Sequence, residues 1–244
     1  MRFCLILSVL AVLGLATGAS AQELAINLGD ETSLSARTFQ IIALITVLSI
    51  APGLAIMITC FPFMVTVLSI LRQGIGLQQS PPNMLIISLA LFLTYFVMDP
   101  VFREAWNVGI QPLVDGELDW ETGFQRGIEP FVRFMQARTE VETLERLGNL
   151  RMETPGVAPF DPSEPPLSVL VPSFLLSEIE KAFQIGFLIF LPFLIIDLIV
   201  AAILMSMGMM MVPPAIVSLP FKLAFFVVAD GWTLISEALL RSYM

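Results

Sequence analysis

Apolar residues occupy this chain in long runs that charges rarely interrupt. After Met1-Arg2, the stretch Phe3 to Leu15 is uncharged and almost wholly apolar, and Thr17-Gly18-Ala19-Ser20-Ala21-Gln22 follows. A short basic start, an apolar core of this length and an Ala19-x-Ala21 site form a secretory signal peptide pattern, with cleavage expected after Ala21. The alternative is an uncleaved amphipathic anchor, because the stretch is short for a bilayer span. Cleavage removes Cys4 and places the mature N-terminus outside the cytoplasm.

Two larger apolar blocks come next. Between Ile41 and Met98 the only charge is Arg72, and between Ala182 and Ala229 the only charges are Asp197 and Lys222. The first block divides into Ile41–Leu71 and Met84–Met98, joined by a turn containing Pro81-Pro82; the second divides into Ala182–Val212 and Ala215–Ala229, joined by Pro213-Pro214. The segments measure 31, 15, 31 and 15 residues. As helices they reach about 46 Å or about 22 Å, and neither length suits a bilayer core of about 30 Å. Pro52, Pro62, Pro192 and Pro220 each remove a helical hydrogen bond and predict kinks. Each block ends in an Asp (Asp99, Asp230), so the shared plan is either an internal repeat of two hairpins or a coincidence of lengths.

The residues between the blocks differ in kind. Positions 103–164 hold 12 acidic residues and six Arg. From Phe131, the apolar positions Phe134, Met135, Val141, Leu144 and Leu147 predict one amphipathic helix to Leu150. Such a helix either packs on a partner or membrane surface, or caps the hairpins as a solvated element. The predicted fold is all-α and membrane-associated, with two long–short kinked hairpins around an inserted extracytoplasmic helical region. Its parts are a signal peptide (1–21), an extracytoplasmic N-terminal segment (22–40), a first apolar hairpin (41–102), an acidic periplasmic helical region (103–166) and a second apolar hairpin (167–244). An outside N-terminus and four crossings place the six Arg outside, against the positive-inside tendency. That tendency weakens for loops of about 60 residues, and the signal peptide decides the orientation.

Composition narrows the chemistry. Of 244 residues, 57% are hydrophobic and 14% charged, against about 25% charged in soluble domains. The formal net charge is −9, with no basic run, which excludes a nucleic-acid partner. There is no His, the commonest acid–base group and metal ligand, so no Ser-His-Asp set can form and no metal or other cofactor is expected. Gly74-Ile-Gly76 follows no strand and lacks the third glycine of a dinucleotide loop. Catalysis is therefore not expected.

Three features remain. Asp197 and Lys222 lie inside apolar segments, where an unpaired charge costs at least about 2.5–3.5 kcal/mol; each requires an inter-helix or inter-subunit contact. Glu178-x-Glu180-Lys181 stands at the mouth of the helix that carries Asp197. Met205-Ser-Met-Gly-Met-Met-Met211 holds five Met in seven residues. Converging copies of so flexible a side chain could form a deformable apolar seal, although a Met-rich core patch would read the same.

At these residues the chain resembles the FliP family of flagellar type III export gates. The likeness lies in Pro172-Ser-Phe-Leu-Leu-Ser-Glu-Ile-Glu-Lys-Ala-Phe-Gln-Ile-Gly-Phe187, in the run from Leu191 to Pro214, and in Ser-Leu-Pro-Phe-Lys222 and Val-Ala-Asp-Gly-Trp232. Upstream, Leu68-Ser-Ile-Leu-Arg to Pro-Pro-Asn83 and Leu89-Ala-Leu-Phe-Leu-Thr94 are similar to the same family. The resemblance implies a ring of several copies at the basal body in the bacterial inner membrane, largely on its periplasmic side. It implies FliQ, FliR, FlhB and FlhA as partners and unfolded proteins as cargo. It implies a gasket at Met209, Met210 and Met211 and inter-subunit polar contacts at Glu178 and Lys222; that these two pair, and that Asp197 makes a further inter-subunit contact, is expected from their charges alone. One departure is that Thr59-Cys-Phe-Pro-Phe63 has Phe63 where the pattern expects Arg. The virulence-type (injectisome) gate is the nearest alternative. A small-molecule or ion transporter and a scaffold for a pore made by others are further ones.

Overall fold

The computed structural model describes residues 31–77, 81–152, 161–209 and 211–244. The expected signal peptide with its cleavage at Ala21, and Met210, lie outside the described residues. Among the described residues there is no strand, and helices dominate. The chain divides into two units, Met1–Ser49 and Ile50–Met244. In the first, Glu31–Ser49 is helical and belongs to α1 (Glu31–Met57). Its apolar side chains, among them Phe39, Leu44 and Leu48, are exposed.

In the second unit, the expected continuous segment Ile41–Leu71 is broken. α1 stops at Met57, and α2 (Phe61–Ile75) restarts the helix with Pro62 in its first turn. Proline offers no donor to the carbonyl four residues back but fits a first turn well. Pro62 therefore begins a helix instead of kinking one. The Thr59 hydroxyl donates to the Ile56 carbonyl at 2.8 Å and helps close the end of α1. Phe63, Met64, Val67, Leu68, Leu71 and Ile75 recur at helical spacing on α2, and all are buried.

α3 (Asn83–Ala105) does not end at Met98 as expected. It continues through Pro100 and a π-helical turn (Trp106–Ile110) into α4 (Gln111–Val114). The Asp99–Arg103 ion pair, 2.9 Å, bridges successive turns there. The expected single helix from Phe131 to Leu150 is two. α5 (Trp120–Arg138) begins earlier, where the Asp119 carboxylate accepts the Thr122 N–H at 3.3 Å. α6 (Val141–Met152) follows a break at Thr139 and Glu140. Polar groups of the next helix hold that break: the Glu140 N–H donates to Ser177 Oγ at 3.0 Å, and Lys181 Nζ donates to the Arg138 carbonyl.

α7 (Leu167–Ser206) is the spine of the unit, 40 residues and about 60 Å long. It starts 15 residues before the expected Ala182, and Pro172 and Pro192 lie within it without ending it. Its early turns place Val169, Leu170 and Phe174 in an apolar cluster with Met135 of α5 and Leu144 of α6. Further along, Ala182 and Phe193 join the larger core built on α2 and α3. Gly186 admits the Ile70 side chain of α2, which a Cβ would meet at 2.4 Å. α8 (Pro214–Val228) and α9 (Gly231–Arg241) complete the chain, bent by 62° at Asp230. Three described stretches, Thr38–Met57, Asn83–Val114 and Leu167–Ser206, are long and apolar enough to cross a membrane, and the bent α8–α9 pair would be a fourth.

Gly109 of the π-helical turn lies against α5, where an added Cβ would stand 2.5 Å from Gly127 Cα and 2.6 Å from its nitrogen. Backbone cannot yield as a side-chain tip can. Gly109→Ala is expected to lower stability by about 2 kcal/mol. Gly53→Ala, with nothing within 4 Å, should hold or raise it. Thermal unfolding in detergent, followed by circular dichroism, compares the two.

Candidate functional site

The residues singled out from the sequence fall in three places, all connected to α7. The first is the Met-rich turn that ends it. The Gly208 N–H donates to the Met205 carbonyl and the Met209 N–H to the Leu204 carbonyl, both bonds near 3.0 Å. Gly208 has φ +77°. This is a Schellman termination, in which the residue after the cap must be left-handed, the conformation glycine adopts without penalty. Gly208 thus stops α7, Pro213-Pro214 starts α8, Met205 lies in the last turn of α7, and Met209 and Met211 fall in the short link between the helices. Met205, Met207 and Met209 are exposed, and Met211 is 97% exposed. None of these four fills a core of its own chain, which removes the core-patch reading for them. Beside the turn, α7 and α8 enclose an apolar groove of about 350 Å³, lined in part by Ile199, Ile203, Val217 and Phe221.

The second place is Asp197. Lys222 of α8 brings Nζ to 2.6 Å from Asp197 Oδ2, and Ser218, one turn earlier, donates to Asp197 Oδ1 at 2.5 Å. Lys222 also donates to the carbonyl of Gly74 at 3.1 Å. That carbonyl belongs to the last turn of α2, where intrahelical donors run out and a cation complements the helix dipole. One ammonium group therefore ties together α2, α7 and α8. It is the deeper partner: Lys222 is 5% exposed, whereas the Asp197 side chain is 32% exposed.

The third place is Glu178, fully buried on α7. The expected pair between Glu178 and Lys222 is not formed within the chain; each charge has a different partner. Arg138, at the end of α5, brings Nε to 3.1 Å from Glu178 Oε1, and the hydroxyl of Tyr243 donates to Oε2. Phe63, standing where an Arg was expected, is fully buried, with its ring edge-on to Tyr243 at 5.3 Å. The cation at this carboxylate thus comes from the acidic insertion. Neither Arg138, 40 residues before its partner, nor Tyr243, 65 residues after it, has a spacing that sequence could interpret. The one available signal was that a Glu within an apolar helix demands a cation. Cys60 lies nearby, its thiol pushed up to about 12 by burial and so held as an inert core group.

Breaking a buried ion pair costs more when the deeper charge is left alone. Asp197→Asn strands the Lys222 ammonium and is expected to cost about 3 kcal/mol, more than Lys222→Met, which strands a partly hydrated carboxylate. Joining both changes should recover much of the loss. Melting of the single and double variants in detergent measures this, and a coupling energy near zero would contradict the assignment.

Comparison with known proteins agrees with this layout. A family model described as the FliP family matches residues 44–239. The flagellar biosynthetic protein FliP of Caulobacter vibrioides is 46% identical over 100% of this chain and 92% of its own length. The protein of the same name from Agrobacterium fabrum is 46% identical over 99% of both chains. That from Bacillus subtilis is 45% identical over 84% of this chain and 92% of its own. The match takes in α2 to α8 entire, together with Met209–Met211, Glu178, Asp197 and Lys222, and on that ground the chain belongs to the FliP family.

Proposed function

We propose that the chain is a core subunit of the flagellar type III protein export gate. In this reading several copies, together with FliQ and FliR, form a channel through which unfolded flagellar proteins leave the cell, with FlhB and FlhA as further partners. The relatives named as flagellar biosynthetic proteins support the flagellar setting. The helices long enough to cross a membrane support a place in the inner membrane; the acidic insertion lies on the periplasmic side in this reading, following the expected signal peptide. The subunit has no catalytic task of its own, so partners supply the energy.

One observation carries the gating role. Four of the five clustered methionines are exposed on a turn that closes the 40-residue helix. Repeated around an axis, such turns would bring many unbranched, polarizable side chains together. An apolar constriction of this kind excludes ions by dewetting and repacks around a passing chain. Asp197 and Lys222 find partners within the chain and brace the hairpin that carries the turn, Glu178 holds the insertion, and apolar surface is left for contacts between copies.

Replacing Met209, Met210 and Met211 together by Ala tests the seal. The expected result is an assembled complex that leaks ions and small solutes, read as growth inhibition and loss of membrane potential. Loss of assembly without a leak would favour a scaffold, and an unchanged phenotype would remove the seal from the mechanism.

A further inference from the structure

The carboxy-terminal residues carry a contact set that neither the channel wall nor the Met turn requires. α9 ends at Arg241, and Ser242 and Tyr243 then lie against the junction of three other helices. The Ser242 carbonyl accepts from Arg138 Nη1 at 3.0 Å. The Arg138 guanidinium lies over the Tyr243 ring, 4.0 Å from its centre. Phe63 of α2 meets that ring edge-on at 5.3 Å, and Phe134 of α5 stacks on it at 6.2 Å. The phenol, finally, donates to Glu178 Oε2 on α7. One terminal aromatic side chain therefore touches α2, α5 and α7.

Three observations distinguish this from ordinary core filling. Glu178 is fully buried and needs a donor at each oxygen; Arg138 supplies one and Tyr243 the other. Among the described residues, no buried side-chain polar atom lacks a partner, so this donor completes the set. Burial and the facing Glu178 charge push the Tyr243 phenol far above its ordinary value, which keeps it a proton donor. Next, the position is a seam. Phe63 belongs to the α2–α3 core, while Phe134 packs against both that core and the α5–α6–α7 cluster. Last, the helix leading to the strap is cocked. The 62° bend between α8 and α9 passes through Asp230 at φ +47°, a left-handed backbone that Asp adopts more readily than most residues, and Asp230 Oδ1 accepts from the Thr233 hydroxyl there at 3.1 Å.

We propose that Ser242–Tyr243 is a strap that locks the acidic insertion onto the apolar hairpins, closing when the segment after α9 docks on Arg138 and Glu178. Until that segment docks, Glu178 has Arg138 alone, and Arg138, next to the Thr139–Glu140 break, has no hold on the end of the second hairpin. The strap thus links the docking of the segment after α9 to the setting of the insertion.

The test is limited proteolysis of the full chain, extracted in mild detergent, with a glutamyl-specific protease that cuts at Glu140 in the break. Truncation after Arg241 is expected to speed that cut by about tenfold, since local opening governs cleavage. Tyr243→Phe, which keeps the ring and loses only the hydroxyl, should speed it less but measurably, with helical content unchanged by circular dichroism. In a Glu178→Gln background the Tyr243→Phe effect should shrink, because the charge that needs the phenol is gone. A truncated chain cut at the unaltered rate would overturn the strap. Should truncation unfold the chain, Tyr243→Phe decides: an unaltered rate at Glu140, or an effect that persists in Glu178→Gln, would overturn the role given to the phenol.

Discussion

A carboxylate with no solvent exposure in an apolar helix is the constraint on which this structure depends. Desolvating Glu178 is tolerable only if both of its oxygens find donors. The helix that carries it supplies neither, so the chain must bring them from elsewhere. Arg138 comes from the acidic insertion and Tyr243 from the far end of the molecule. Meeting that demand folds the insertion back on α7, sets the break between α5 and α6 beside Ser177 and Lys181, and returns the terminus to the centre. Asp197 lies 19 residues further along the same helix, about 29 Å away. It repeats the logic with Lys222 and Ser218, and through Lys222 reaches the end of α2. A single long helix is thus anchored at two ionic points, one holding the insertion and the other the second hairpin.

Charges settled within the chain leave a particular surface. The helix α1, the outer faces of α3 and α7, and the Met-rich turn all present apolar side chains outward. Apolar surface of this extent is stable only in lipid or against other chains. The turn adds a mechanical property. It is bounded by a Schellman stop at Gly208 and a proline start at Pro214, and its exposed methionine side chains are unbranched and adaptable.

Local chemistry made much of the fold readable. Long apolar runs, the Pro-Pro turns and the acidic middle pointed to an all-helical chain with apolar hairpins around a polar insertion. The helix boundaries were less legible, because proline carries two meanings. Pro62 starts α2, whereas Pro100, Pro172 and Pro192 sit inside helices that continue past them. The outcome depends on what each proline packs against, which a linear pattern does not contain. The break at Thr139 is of the same kind, since the groups that hold it, Ser177 and Lys181, come from another helix.

At the site, linear pattern alone showed which residues require special treatment: charges in apolar helices need partners, and Pro213-Pro214 joins two apolar segments, although the stop at Gly208 came earlier than the expected Val212. The identity of those partners was decided only by tertiary structure. Glu178 and Lys222 were expected to pair between subunits; within the chain, packing of α5 against α7 brings Arg138 to Glu178, and packing of α8 against α7 brings Asp197 to Lys222. The reason is physical. Cost of burial is a property of one side chain and its immediate setting, readable from composition, whereas the satisfaction of that cost is a distance between segments far apart along the chain.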